Sequence, residues 1–413
     1  MVEAIVRPGS TGHSHGGGEV PIQTRSERVR SANIAEHSDV TRRDEQWRYL
    51  DADRLGGLDK NTLSNAVENI QVEAPANFSN QLVTAQDSSF GKAGLPEDKP
   101  SANAWAAAPE ALKVSLTGEA DEPAIIKINN PGLNTAAHLI IESATHSHGT
   151  VVIDHTGSGS FGEIVEVIVG DESSLTVVSI QDWDDDAIHT SAQFARLGRN
   201  SKLKHIVISL GGKTVRVTPN AEFTGPGGDA ELLGMYFADA GQHLEHRSYV
   251  DHAVANCKSR VTYKGALQGD NAHTVWVGDV LIRKAAEGTD TYELNRNLLL
   301  TDGARADSVP NLEIETGEIE GAGHASASGR FDDEQLFYLQ ARGIDELDAR
   351  RLVVRGFLNE VIQQIEGRGF QQDLQQSDDL LSGCSQRCHI HLPRALPRMC
   401  DRDGHGSVEL QQA

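Results

Sequence analysis

Cysteine is scarce in this chain of 413 residues: four are present, Cys257 standing alone and the other three falling between Cys384 and Cys400. A disulfide framework of the kind that staples small secreted domains is thereby excluded as the organising device. Basic residues are also short, 37 against 60 acidic, and the net charge of −23 disfavours nucleic acid, whose binding needs a cationic surface that releases counterions. Anionic membranes are disfavoured for the same reason. No apolar run approaches the roughly 20 residues of a membrane helix. The opening MVEAIVRPGSTGHSHGGG has no apolar h-region, so no signal peptide is read there and a cytoplasmic location is expected. The G-x-x-x-x-G-K-[ST] phosphate loop and the G-x-S-x-G elbow are both missing, so any ATP hydrolysis must belong to a partner.

What the chain has in quantity is glycine, 40 residues, which suits a turn-rich fold. Its length calls for two or three structural units. Residues 1–40 lack an apolar period and read as a flexible arm, with His13 and His15 solvated in it rather than holding a metal. Residues 41–111 read as a small helical N-terminal region in which Trp47, Tyr49, Leu50, Leu55 and Leu58 gather. From 112 to 325 short β-branched runs recur, among them AIIKI, EIVEVIV, SLTVVSI, LKHIVISL and HTVWVGDVLI. Gly, Asp and Asn clusters separate them, and no crossover helices intervene, so a sandwich, a propeller or a β-helix remains. Small residues just after the strands and the lack of regular hairpin dipeptides favour the β-helix, whose last rung is expected to end at about Glu320. Residues 326–365 turn helical: Asp332 and Asp345 read as N-caps and Gly343 as the stop between two helices. The simplest picture packs these helices on the end of the β domain.

Three metal-like groupings read as bland. The acidic turn QDWDDDAIH, with Asp182, Asp184, Asp185 and Asp186, lacks EF-hand spacing and reads as solvated. His146 and His148 stand at chelating spacing on one strand face but without further ligand partners. In residues 366–413, Cys384, Cys388, His391, Cys400 and His405 approach zinc-ligand spacings, yet the Pro/Arg-rich, aperiodic context reads as a disordered tail.

GHASASGRFDDEQLFYLQARGI (Gly323–Ile344) and the DELDARRLVVRGFLNEVI after it resemble the C-terminal signature of the SufB/SufD family of iron–sulfur cluster assembly proteins. LEHRSYVDHAVANCKSRVTYKGALQG (Leu244–Gly269), TYELNRNLLLTDGARADSVPNLEIE (Thr291–Glu315) and EQWRY (Glu45–Tyr49) extend the resemblance. It implies a right-handed parallel β-helix core between an irregular helical N-terminal region and a C-terminal helical domain. The branch most similar is SufD, because LFYL lacks the cysteine that the SufB branch usually places after the tyrosine, and DGARADSVPNLEIE has no core cysteine. Ala322 stands where some members carry a cysteine two residues before the histidine. The resemblance implies a non-catalytic scaffold subunit that pairs with SufB and docks the SufC ATPase, supporting cluster assembly and iron acquisition. A homodimer of the lone chain stays open. It makes His324 a candidate metal ligand at the SufB interface, in reach of a nascent iron–sulfur cluster, and Leu336, Phe337, Tyr338 and Arg342 candidate partner-binding residues. A reduced flavin in the complex is implied without a motif to place it. The alternative is a β-helical carbohydrate-active enzyme with paired carboxylates, disfavoured by an aromatic content of 5% and by the terminal helices.

Overall fold

The computed structural model describes residues 28–363, Asn61 excepted. His13, His15, Ile365 and the tail 366–413 with its cysteines lie outside the described residues. The N-terminal part holds short 3-10 turns, then β1 (Ser64–Asn65), β2 (Ile70–Glu73), β3 (Phe78–Thr84) and α1 (Lys99–Ala107). Two long bent strands follow the short β4 (Glu110–Leu116): β5 (Ala124–Ser143) and β6 (His148–Val169). Shorter strands complete the sheet: β7 (Ser174–Gln181), β8 (Ile188–Leu197), β9 (Lys202–Ser209), β10 (Thr214–Phe223), β11 (Asp229–Ala238) and β12 (His243–His252). After these come β13 (Lys258–Leu267), β14 (His273–Ile282), β15 (Asp290–Leu299), β16 (Arg305–Ile314) and β17 (Gly321–Arg330), then α2 (Asp333–Gln340) and α3 (Glu346–Ile362).

From β6 onward each strand pairs in parallel with the strand two places further along the chain. Two stacked parallel ladders result, one of them carrying the odd-numbered strands to β17 and the other the even-numbered ones to β16. β5 and β6 each turn a corner and serve both ladders, with a register shift between Pro131 and Asn134. This is the expected β-helix, a solenoid of about eight turns. The corners are tight: Asn256 is left-handed (φ 60), and Gly288 (φ 69) stacks on it where a Cβ would strike the Asn256 side-chain oxygen. The β-helix outruns the expected end near Glu320, because β17 adds one more strand made of Gly, Ala and Ser with a single histidine and a terminal arginine.

In-register stacking sorts side chains into columns. The inward columns fill the lumen with Val151, Val177, Leu203, Leu232, Val261 and their neighbours. Polar groups are buried there too, and the largest are accommodated by missing side chains. Gly234 is in register with Tyr263, and Gly265 with Tyr236. A Cβ on either glycine would penetrate the facing tyrosine ring, so each ring occupies the volume its neighbour vacates.

Outside, α3 lies along a flank of the solenoid rather than on its end. Val354, Leu358, Val361 and Ile362 pack on Ile206, Ile208, Leu233 and Met235, because β9 and β11 present apolar residues outward as well as inward. Lys264 holds the helix from beneath, donating to the Phe357 carbonyl at 3.2 Å and pairing with Glu360. The opposite flank carries the N-terminal region, whose Trp47, Leu50, Leu55 and Leu58 cluster as expected, whereas Tyr49, expected with them, is half-buried and meets the His273 ring edge-on. The Trp47 ring covers the Arg216 guanidinium at 3.9 Å, and Arg216 and Arg247 both donate to the Gln46 carbonyl.

The tyrosine–glycine interlock predicts that Gly265→Ala costs about 1–3 kcal/mol of stability by overpacking. Gly329→Ala, with nothing within 4 Å of the added carbon, should leave the thermal midpoint within experimental error. Equal midpoints for the two variants would disprove the interlock.

Candidate functional site

The last coil is where this architecture opens. β17 pairs with β15 and, among the described residues, with no strand on its other side. Its register sets Ala322, His324, Ser326 and Ser328 above Thr291, Glu293, Asn295 and Asn297, all four of which are buried inward positions of β15. His324 therefore continues an inward column but is exposed, because no further coil covers it. The neighbours of His324 along the strand, Gly323 and Ala325, give it no packing surface. Small residues on the final edge let another backbone approach closely, and a row of unpaired strand groups is a template for association.

Beneath the histidine the lumen is polar. Asn297 donates to the Ser328 hydroxyl at 3.3 Å and to the Asn295 side-chain oxygen at 2.7 Å, and it accepts from the Tyr236 hydroxyl at 2.8 Å. Ser326 donates to Ser308 of β16 at 2.8 Å, joining the two faces at the mouth. Glu293, directly below His324, is different. It is buried, and neither carboxyl oxygen finds a hydrogen-bond partner. Gly278 makes the space, since a Cβ there would touch the Glu293 carboxyl. Burial first, and then the Asp279 charge, push this carboxyl up to about 8, so it is largely protonated at neutral pH. Deeper in, burial lowers His246 to about 3 and His205 to about 4, leaving both imidazoles neutral.

The other expected site residues sit on or beside α2. Asp332 caps that helix by accepting from the Glu334 backbone, and Asp345 caps α3 by accepting from Asp348. Leu336 is buried, so it anchors the helix. Phe337 and Tyr338 are 72% and 56% exposed, and the Arg342 guanidinium lies 3.5 Å above the Tyr338 ring. Two neighbouring exposed aromatics with a stacked cation form a small unpartnered surface of the kind that marks an interaction site.

The remaining groupings separate. His146 sits in a left-handed turn facing Glu172 at 3.5 Å, while His148 begins β6, so the two do not share a strand face. Asp184, Asp185 and Asp186 are exposed on the corner between β7 and β8, and Trp183 within the same turn is buried. Cys257 is buried with its thiol near the Gly225 and Ala255 carbonyls. Sequence reasoning missed Glu293, because TYELNRN offers no sign that one carboxylate points inward under the last coil.

Comparison with known proteins agrees with this architecture. Residues 126–357 match the family described as SUF system FeS cluster assembly, SufBD core domain. An iron-sulfur cluster assembly SufBD family protein of Mycobacterium leprae is 52% identical over 334 residues, covering 78% of this chain and 85% of that protein. One from Mycobacterium tuberculosis (strain H37Rv) is likewise 52% identical over 334 residues, covering 78% and 84%. A second SufBD family protein of Mycobacterium leprae is 25% identical over 243 residues, covering 58% of this chain and 28% of its own length. Among the described residues no helix is long and apolar enough to cross a membrane.

The raised Glu293 carboxyl gives a pH prediction. The folded chain keeps a proton that the unfolded chain releases above its ordinary pKa of 4.5, so this stabilisation is complete below that value and is lost as pH rises toward about 8. Denaturant midpoints of wild type and Glu293→Gln should diverge over that range, the variant gaining on the order of a few kcal/mol by its upper end. A difference that stays constant with pH would show the carboxyl to be solvated.

Proposed function

The chain belongs to the SufB/SufD family of iron–sulfur cluster assembly proteins, and from that premise we propose that it is the SufD-type scaffold subunit of a SUF complex. In this reading β17 joins edge to edge with a SufB-type partner, and α2 docks a SufC-type ATPase that supplies the nucleotide hydrolysis. The subunit itself is non-catalytic, and a nascent cluster is cargo formed at the shared edge rather than a resident cofactor. A reduced flavin enters only as a component of the assembled complex.

One observation carries the reading: an exposed imidazole on an uncovered last strand of small residues, on the same chain as an unpartnered Phe337–Tyr338 surface. Imidazole is a common ligand for iron, and one nitrogen donor at a seam can contribute to a cluster without holding it alone. The SufD assignment is supported by the LFYL helix and by the lack of a cysteine in β16, while Ala322 departs from members with a cysteine at that place and leaves only the His324 imidazole as a donor there. Two Mycobacterium leprae SufBD family relatives at such different identities are what two paralogous branches of the family would give.

His324 is exposed, so His324→Ala should cost about 1 kcal/mol or less. Iron and sulfide per reconstituted complex should nevertheless fall, with subunit association intact. A normal cluster yield with a clearly lowered melt would make the histidine structural. Phe337→Asp, on a side chain already in water, should leave the melt and the far-UV circular dichroism in place while abolishing capture of the ATPase. Undiminished capture would remove α2 from the docking surface.

A further inference from the structure

Far from the open end, three buried ligand-type side chains converge in the lumen: His155 and Glu163 from the two arms of β6, and His189 from β8. The bend of β6 brings His155 across the lumen to face the other two, and the ladder places His189 above Phe161, two positions before Glu163. One ligand atom from each of the three lies within 4.8 Å of the others. His155 Nε2 is 2.9 Å from one Glu163 oxygen, and His189 Nε2 is 3.8 Å from the other.

The outer contacts fix which nitrogens face inward. Each Nδ1 meets a backbone carbonyl, that of Ile180 at 2.8 Å for His155 and that of Phe161 at 3.0 Å for His189. A carbonyl only accepts, so both Nδ1 atoms carry hydrogen and both Nε2 atoms turn toward the same carboxylate. Metal-bound histidines are held in this manner, the second nitrogen donating to a carbonyl. Ser191 donates to Glu163 at 2.6 Å and orients it in turn. His189 Nε2 has no hydrogen-bond partner, and neither has the side-chain oxygen of Gln193 further along β8. A fully buried imidazole nitrogen left unpaired in a polar cluster is costly. Trp183 closes the site, its ring centroid 5.4 Å from His155 and 5.0 Å from His189.

We propose that His155, Glu163 and His189 form a closed binding site for one divalent first-row transition ion. Two imidazoles and a carboxylate suit iron(II) or zinc and are too nitrogen-rich for calcium or magnesium. The site stands on this geometry alone and does not depend on the scaffold reading.

The test uses the full chain, produced in iron-supplemented and in zinc-supplemented medium and isolated anaerobically through a chelator. About one ion per chain should remain in wild type, with iron and zinc preparations reporting which ion is kept. In Glu163→Gln and His189→Gln, shown by circular dichroism to be folded, occupancy should fall by about tenfold or more. Equal occupancy in the folded variants, or no ion in wild type from either medium, overturns the site. X-ray absorption of the loaded wild type decides the matter even where the variants do not fold. A nitrogen and oxygen shell with imidazole outer-shell scattering supports the assignment. A sulfur shell would place the ion on cysteine and overturn it.

Discussion

A parallel coil has no hairpin to set its register, so each strand is positioned by the strand beneath it. The rest of this molecule depends on that constraint. It aligns inward residues into columns, and each column must be filled by a side chain compatible with the one below. Val151, Val177 and His205 share one column, which continues through Leu232, Val261 and Glu293 to His324. Near its start the column is apolar and closed, and at its end it is ionisable and open. The place where the stack stops therefore decides which chemistry reaches solvent.

The flanking elements follow from the same stack. A flattened solenoid buries its inner faces by itself, but β9 and β11 also carry apolar residues outward. α3 covers one such stripe, and the N-terminal region covers the other flank. Arg216 and Arg247 lie under the segment that carries Trp47 and face the buried Glu245, an arrangement in which cations, carboxylate and indole are desolvated together. Exposed aromatics remain on α2, which follows the last coil without being needed to cover it.

Much of this was legible in the residues. Runs such as EIVEVIV and SLTVVSI carry β-branched side chains on both faces, as strands buried on both sides must. Asp332 and Asp345 announce their helices because a cap is a local interaction. The last strand was harder, since GAGHASASGR has no apolar alternation; it is a strand because β15 offers it a ladder, not through its own propensity. The helices were expected on the solenoid's end, whereas α3 lies on its flank, because the outward residues of β9 and β11 cannot be told from inward ones within an all-apolar run. Glu293 and the His155–Glu163–His189 group were invisible for a related reason. Their neighbours are defined by coil register and by the bend in β6, which no local spacing records.

The paired rings and gaps of Tyr236 with Gly265 and Tyr263 with Gly234 also constrain how such a chain can diverge. While a tyrosine stands, its facing glycine cannot acquire a side chain; while the glycine stands, losing the tyrosine leaves a void. Neither position has a tolerated single step, so the route between alternatives passes through a destabilised ancestor or through a double change. Among descendants the two positions should vary jointly, as a linked character spread over adjacent coils.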